Sequence, residues 1–313
     1  MALLEDLGSD LRTAQVAPVG PPARRRTWGS TLLEVGLGFS YGVLFLLFTV
    51  PFFWMLFGSI REESEIFAHL YPFSWKTLLP IEWTLKSYAD IFGISADGQK
   101  YGLQFQRFLG NSFFVSFAVV CSSLVINTLA AYFFARLKFP FKTWLLVFVV
   151  ATMLVPFQAT IVPLYIVVDA LGMANAFSGL ILPWYASPFV IFALMQFMQD
   201  IPVDLDEAAV MDGASLFQIL WRVIVPLTIP GLITMSLLEF QFIWNLFYWP
   251  LIVISSPKLQ MIQVAIATQT TQTQTFWGRT FAASVTASLP VIVMFLILQR
   301  YYVQGVAMTG LKG

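Results

Sequence analysis

The sequence predicts an all-α integral membrane protein with six transmembrane helices. Three observations carry this. First, 58% of the 313 residues are hydrophobic and only 11% are charged, whereas a soluble domain carries about 25% charged residues. Second, the apolar residues gather into uncharged runs long enough to cross a bilayer, which takes about 20 residues of helix. Third, one acidic, amphipathic stretch, Asp204–Pro226, stands between membrane-length runs and is too polar to be one of them.

The elements follow in order. Residues 1–30 are polar, with Pro18, Pro21, Pro22 and the run Arg24-Arg25-Arg26, which predicts a disordered tail. No signal-peptide core with a small-residue cleavage site stands near the start, so the first apolar run is expected to stay in the mature protein. Val35–Ile60 holds 26 residues without a charge and is the first span, with Pro51 as a possible kink. Its Gly38-x-x-x-Gly42 spacing suits close helix packing, although so short a pattern also arises by chance. Residues 61–107 form a mixed loop, read as a folded cap with a short helix near Trp83–Phe92.

Phe108–Ala135 is the second span, 28 residues without a charge. Thr143–Val168 is the third, interrupted at Pro156 and Pro163. The fourth covers about Phe177–Phe197, and the fifth about Pro230–Ser255 with one acid, Glu239. Residues 257–279 are polar and rich in Thr and Gln, which suits a hydrated connector. Thr280–Gln299 is the sixth span.

Six spans put both termini on one side, and basic residues favour the cytoplasm. With the termini inside, ten Lys and Arg residues are cytoplasmic and seven are outside. The clusters Arg24–Arg26 and Arg136–Lys142 strengthen that choice. It also places Asp204–Pro226 in the cytoplasm.

Several function classes are excluded or left without support. The formal net charge is zero, so no basic face suggests nucleic acid. The one cysteine, Cys121, lies in an apolar run and reads as a small packing residue. His69 has no neighbouring ligand set. The dipeptide Gly-Lys never occurs, so no P-loop for ATP is present. No Ser-His-Asp, HExxH or paired-cysteine signature occurs either, which argues against an enzyme.

Within Asp204–Pro226 the local chemistry predicts two short helices. Asp204-x-x-Glu207 offers a start for the first, with acids at the favourable end of the dipole. Ser215-x-x-Gln218 has capping-box spacing for the second. Gly213 between them suits a positive φ. Leu216, Ile219, Leu220 and Val223 fall on one face. An ordered loop with an apolar face suits a groove in a partner.

This stretch resembles the EAA loop of ABC importer permeases. The family pattern is Glu-Ala-Ala, three residues, Gly, nine residues, then Ile-x-Leu-Pro. Here stand Glu207, Ala208, Ala209, Gly213, and then Val223, Ile224, Val225 and Pro226, with Val223 and Val225 in place of Ile and Leu. Further likeness to carbohydrate-type permeases runs through Ala131–Pro140, Pro156, Ile161–Tyr165, Trp244-Asn245, Trp249–Ile252, Gln299–Tyr302 and Lys312-Gly313. Leu246 departs, because the family usually has an acid there.

The resemblance implies a type I importer permease fold in a bacterial inner membrane. It implies a second permease subunit, two ATPase subunits, an extracytoplasmic solute-binding protein and a carbohydrate substrate. ATP and Mg would be used by the ATPase, and no cofactor would be bound by this chain. Glu207 would pair with a basic residue of the ATPase, Ala208 and Ala209 would allow close approach, and Gly213 would shape the turn. Leu216 and Leu220 would fill the ATPase cleft or pack under it, and Pro226 would close the motif. For Leu220 and Val223 the residues themselves favour packing on the chain's own helices.

The fifth span holds the substrate candidates. Gln241 and Asn245 are four apart, as are Trp244 and Tyr248, so each pair would share a helix face. Amides beside aromatic rings suit sugars, but they also suit contacts between helices. Glu239, an acid inside a span, is a functional candidate, either toward the substrate pathway or toward a neighbouring subunit. It is also the one coupling acid available to the alternative, an ion-coupled transporter acting alone.

Overall fold

The computed structural model describes residues 28–77, 79–269 and 275–310, with side chains described within 34–299. The described residues are helical, with one isolated bridge between Arg61 and Trp83. Residues 1–27 of the tail, including Arg24–Arg26, lie outside them, as do 270–274 and the terminal Lys312-Gly313. Residues 28–30 belong to the first helix.

Contacts divide the chain into two units, residues 1–52 and 53–313. The first helix, α1 (Trp28–Ser59), runs through the boundary and contains Pro51. Its side chains from Glu34 to Phe52 are almost all exposed, Gly38 and Gly42 among them. That is the pattern of a surface meeting lipid or another chain rather than water.

The second unit is organised around α3 (Phe105–Arg136). Its 32 residues extend roughly 48 Å at 1.5 Å per residue, more than the hydrocarbon thickness. α3 joins the cap at its start to the Asp204–Pro226 loop at its end. Around it stand α4 (Lys142–Thr152), α5 (Phe157–Ala170), α6 (Phe177–Ile181), α7 (Pro188–Gln199), α10 (Ile229–Trp244) and α13 (Trp277–Gly310). The loop holds α8 (Asp204–Met211) and α9 (Leu216–Ile219).

Among the described residues, three helices, α1, α3 and α13, are long and apolar enough to span alone. The other apolar segments are bent. α4 and α5 meet at 99°, and residues 177–184 and 188–199 at 41°. Each break precedes a proline, Pro156 or Pro188, whose ring pushes the preceding residue out of the helical region. Pro163 sits inside α5 and does not interrupt it. Residues 216–227 and 229–244 meet at 78°, at Thr228 and just before Pro230.

Two expectations of single segments are corrected. The fifth span is not one helix over 230–255. α10 ends at Trp244, and α11 (Tyr248–Val253) follows after Asn245–Phe247. Pro250 explains the break, because it offers no N–H to Leu246 and its ring crowds that carbonyl. The polar connector 257–279 is also not all loop. Ile262–Ala267 forms α12, with Ile262, Val264 and Ala265 buried.

The cap is fastened to the last span by charge. Residues 61–104 hold α2 (Lys86–Ile91), inside the expected Trp83–Phe92 segment. The Glu63 carboxylate accepts from the backbone N–H groups of Trp277 and Gly278 at 2.7 and 2.8 Å, which caps α13 at its positive end. Arg279 Nε donates to Asp90 Oδ2 at 2.8 Å, and its guanidinium lies over the Phe276 and Tyr101 rings. Arg61, buried, donates to the Thr77 carbonyl. Burial lowers its pKa, against the opposing pull of Glu65.

Cys121 is exposed rather than packed inside. It sits on the outer face of α3, where the surroundings of a span are themselves apolar, so exposure and hydrophobicity are compatible there.

Candidate functional site

The loop end is built on Arg136, the last residue of α3. Its Nη2 donates to the Ile201 carbonyl at 2.7 Å, and its Nε lies 3.1 Å from Asp206 Oδ2. Burial pushes the Asp206 carboxyl above its usual range, while Arg136 pulls it back down. One turn earlier, Tyr132 OH donates to the Leu216 carbonyl. The end of α3 therefore holds α8 through Asp206 and α9 through Leu216.

The second helix starts as the sequence predicts. Gln218 N–H donates to Ser215 Oγ, and Ser215 N–H donates to Gln218 Oε1 at 2.8 Å, completing a capping box. Gly213 has φ +81, the left-handed region glycine enters without strain. The first helix starts differently. Val203 is its N-cap, with no side-chain cap, and Asp204 lies already inside α8. The acids Asp204, Asp206 and Glu207 occupy the first turn, so they act on the dipole rather than as a capping box.

The loop has an inner and an outer face. Ile219, Leu220 and Ile224 are buried against Tyr132, Leu194, Met195 and Met198, with Ala209 and Ala214 packed beside them. Residues Leu220–Ile224 form a π-helical turn, and Val223 is half-buried. Leu216 does not join this face, because it is 56% exposed. As the first residue of α9 its Cβ points toward the helix start, off the end of the bundle. Glu207, Ala208, Gly213 and Pro226 are exposed. So are Met211 at 87% and Phe217 at 65%, which the sequence reading missed. Phe217 stacks obliquely on Trp221.

The second region lies along α10. Gln241, Asn245 and Tyr248 line one pocket of about 350 Å³ with Phe242, Phe247 and Trp249. Asn245 Nδ2 donates to the Gln241 carbonyl at 2.8 Å, and Gln263 Nε2 donates to Asn245 Oδ1. Trp244 is not there. It is 1% exposed, and its Nε1 donates to the Ala287 carbonyl of α13 at 3.1 Å. The expected Trp244–Tyr248 helix face is thus broken by the end of α10, which leaves Tyr248 in the pocket and Trp244 in the core.

Glu239 is buried and joins a polar chain across three helices. Ser123 Oγ donates to Glu239 Oε1 at 2.6 Å, Asn127 Nδ2 donates to Ser123 Oγ, and Ser187 N–H donates to Asn127 Oδ1 at 3.1 Å. The sequence did signal this chain. Ser123-x-x-x-Asn127 puts two polar side chains on one face of an uncharged span.

Comparison with known proteins places these features in a family. The model of the binding-protein-dependent transport system inner membrane component matches residues 127–308. A sulfoquinovosyl glycerol transport system permease of Agrobacterium fabrum is 32% identical, over 84% of this chain and 88% of its own. A trehalose/maltose transport system permease of Thermococcus litoralis is 30% identical, over 84% and 91%. A solved bacterial ABC transporter that imports the acidic polysaccharide alginate shares the fold with a TM-score of 0.76 at 20% identity, over 88% of this chain and 99% of that one. The chain belongs to the binding-protein-dependent transport system inner membrane components, and its fold is that of an ABC importer permease.

Proposed function

We propose that this chain is one of two permease subunits of an ATP-driven sugar importer, and that its Asp204–Pro226 loop is where a separate ATPase grips it. The observation that carries the coupling role is the two-faced loop. Arg136, Tyr132 and the buried Ile219, Leu220 and Ile224 fix it to the bundle. Glu207, Ala208, Met211, Leu216 and Phe217 are left outward. A docked helix held this firmly transmits displacement to the spans behind it, whereas a loose loop would absorb it. Glu207 meets a basic residue of the ATPase, Ala208 allows close approach, and Met211, Leu216 and Phe217 supply the apolar contact. Ala209 packs inward and acts from beneath, and Gly213 and Pro226 shape the loop.

ATP and Mg are bound and spent by the ATPase subunits, and an extracytoplasmic binding protein delivers the substrate to the cap side. The termini and the loop lie in the cytoplasm, in keeping with the distribution of basic residues. Relatives named for trehalose, maltose and sulfoquinovosyl glycerol transport support the sugar class. Gln241, Asn245 and Tyr248 supply amides and a ring on the substrate pathway. Trp244 serves that wall from behind. The ion-coupled alternative rests on Glu239 alone, and family membership weighs against it.

The test is co-purification. The tagged chain is extracted from its native host in mild detergent, and its companions are identified. An ATPase and a second permease in comparable amounts, with ATP hydrolysis weakened by Glu207→Ala, is the expected result. A chain that elutes alone and moves solute in liposomes without ATP would overturn the proposal.

A further inference from the structure

Glu239 has one oxygen satisfied and one unmet. The hydrogen-bond chain has a fixed direction. Asn127 donates to Ser123, the single hydroxyl hydrogen of Ser123 goes to Glu239 Oε1, and Asn127 Oδ1 is taken by Ser187. Oε2 is buried with no hydrogen-bond partner among the described residues. The residue is 6% exposed, and none of the ion pairs among the described residues includes it. A buried carboxylate with a free oxygen is a costly arrangement unless something supplies a donor.

The space beside it is shaped for a ring. Glu239 lines a pocket of about 520 Å³ together with Trp184, Ser187, Phe189 and Phe242. That volume lies in the range of small-molecule sites. Trp184 and Phe242 meet edge to face at 5.3 Å between centroids. The pocket sits at the break between α6 and α7, and shares Leu238 and Phe242 with the Gln241–Asn245–Tyr248 pocket. Two neighbouring pockets therefore follow one side of α10. One offers amides and the other an acceptor between aromatic rings.

We propose that the Glu239 pocket is a specificity site for one ring of an uncharged sugar, resting on the importer reading above. The free Oε2 accepts a hydrogen bond from a ring hydroxyl, and Trp184 and Phe242 cover the apolar C–H face. The neighbouring pocket takes the next ring, so the favoured cargo has at least two. A uronate, phosphate or sulfonate is rejected here, because it would place a second anion beside Glu239 with no cation among the pocket's lining residues to receive it. The rival occupant of the pocket is a basic side chain of the second permease.

The test uses the whole importer in proteoliposomes with its binding protein and ATP. Trehalose and maltotriose are the neutral probes, and a galacturonate trimer is the anionic one. Uptake of a neutral probe and none of the uronate is expected. Glu239→Ala should lower that uptake by about tenfold or more, while Glu239→Gln, whose amide oxygen takes the Ser123 hydrogen bond and whose NH2 can donate to the oxygen of the same ring hydroxyl, stays within about threefold. Trp184→Leu, which leaves the polar chain intact, should also lose about tenfold. Uptake of the uronate by the wild type, or full uptake by Glu239→Ala, overturns the proposal. So does a loss in Glu239→Gln as deep as in Glu239→Ala. A fall in assembled complex with Glu239→Ala at unchanged uptake per complex assigns the pocket to the partner permease instead. Absence of ATP-dependent uptake of every probe by the wild type contradicts the sugar-importer reading itself, and the pocket assignment falls with it.

Discussion

The loop end and the centre of the bundle each bury an acid, one beside a cation and one without. At the loop, Asp206 meets Arg136 at 3.1 Å, and Arg136 also satisfies the Ile201 carbonyl. At the centre, Glu239 is tied through Oε1 to Ser123, while Oε2 has no partner among the described residues. Asp206 Oδ1 also accepts no hydrogen bond among the described residues, but its carboxylate has a cation beside it, and the exposed face of the loop bears Glu207 and Met211. The centre keeps its unsatisfied chemistry inside, facing a pocket. On the proposed function, the first would be a surface that receives force from an ATPase and the second a cavity that receives a ligand. One buried acid is neutralised by a cation beneath an exposed face, and the other has no cation among the described residues and lines a pocket.

That contrast can be broken at the loop first. Gly213→Pro should abolish uptake while the protein still reaches the membrane, because proline fixes φ near −65° where the backbone needs +81. Gly213→Asn, which tolerates the left-handed region, should retain most uptake. Normal uptake by the proline variant would remove the loop from the coupling pathway.

Arg136→Ala should be next in size. It leaves Asp206 half-buried without its cation, a change that costs about 3–5 kcal/mol when a buried pair loses one partner. The expected sign is faster hydrogen exchange across Asp204–Met211 with α3 itself unaffected. Unchanged exchange there would mean that the apolar contacts hold α8 unaided.

Leu220→Ala and Phe217→Ala separate the two faces. Leu220 is 1% exposed, so its truncation should cost about 2–5 kcal/mol of stability. Phe217 is exposed, so its truncation should leave stability within about 0.5 kcal/mol and weaken ATPase association. Thermal unfolding and co-elution read the two effects separately, and the reverse pattern would invert the assignment of faces.

Ser215→Ala is the smallest. Losing the capping box should cost about 1 kcal/mol, visible as increased exchange at the Gln218 amide alone.

Much of this was legible in the sequence, because its signals are local. Uncharged run lengths give the spans, Ser215-x-x-Gln218 gives the cap, and Gly213 gives the turn. The motif from Glu207 to Pro226 needed no tertiary information either. What escaped depends on contacts distant in sequence. Arg136 is 70 positions from Asp206, and Ser123 is 116 from Glu239, so neither pair could be read from spacing. Helix continuity failed where a proline acts at a distance. Pro250 ends the run of hydrogen bonds at Leu246, and so separates Trp244 from Tyr248. Leu216 parts from Ile219 and Leu220 for a geometric reason, since helical periodicity assigns a face but not whether the neighbouring helices extend far enough to cover it. Cys121 was misread because in a span apolar surroundings lie on both sides of the helix.

The central claim is that the loop has one face for the bundle and one for an ATPase. Its most direct test is site-specific photo-crosslinking in native membranes, with the reactive group placed singly at Met211, Phe217, Ala209 and Ile219. The account predicts an ATPase adduct from Met211 and Phe217, and none from Ala209 or Ile219. Adducts of equal yield from all four positions, or from the inward pair alone, would contradict it.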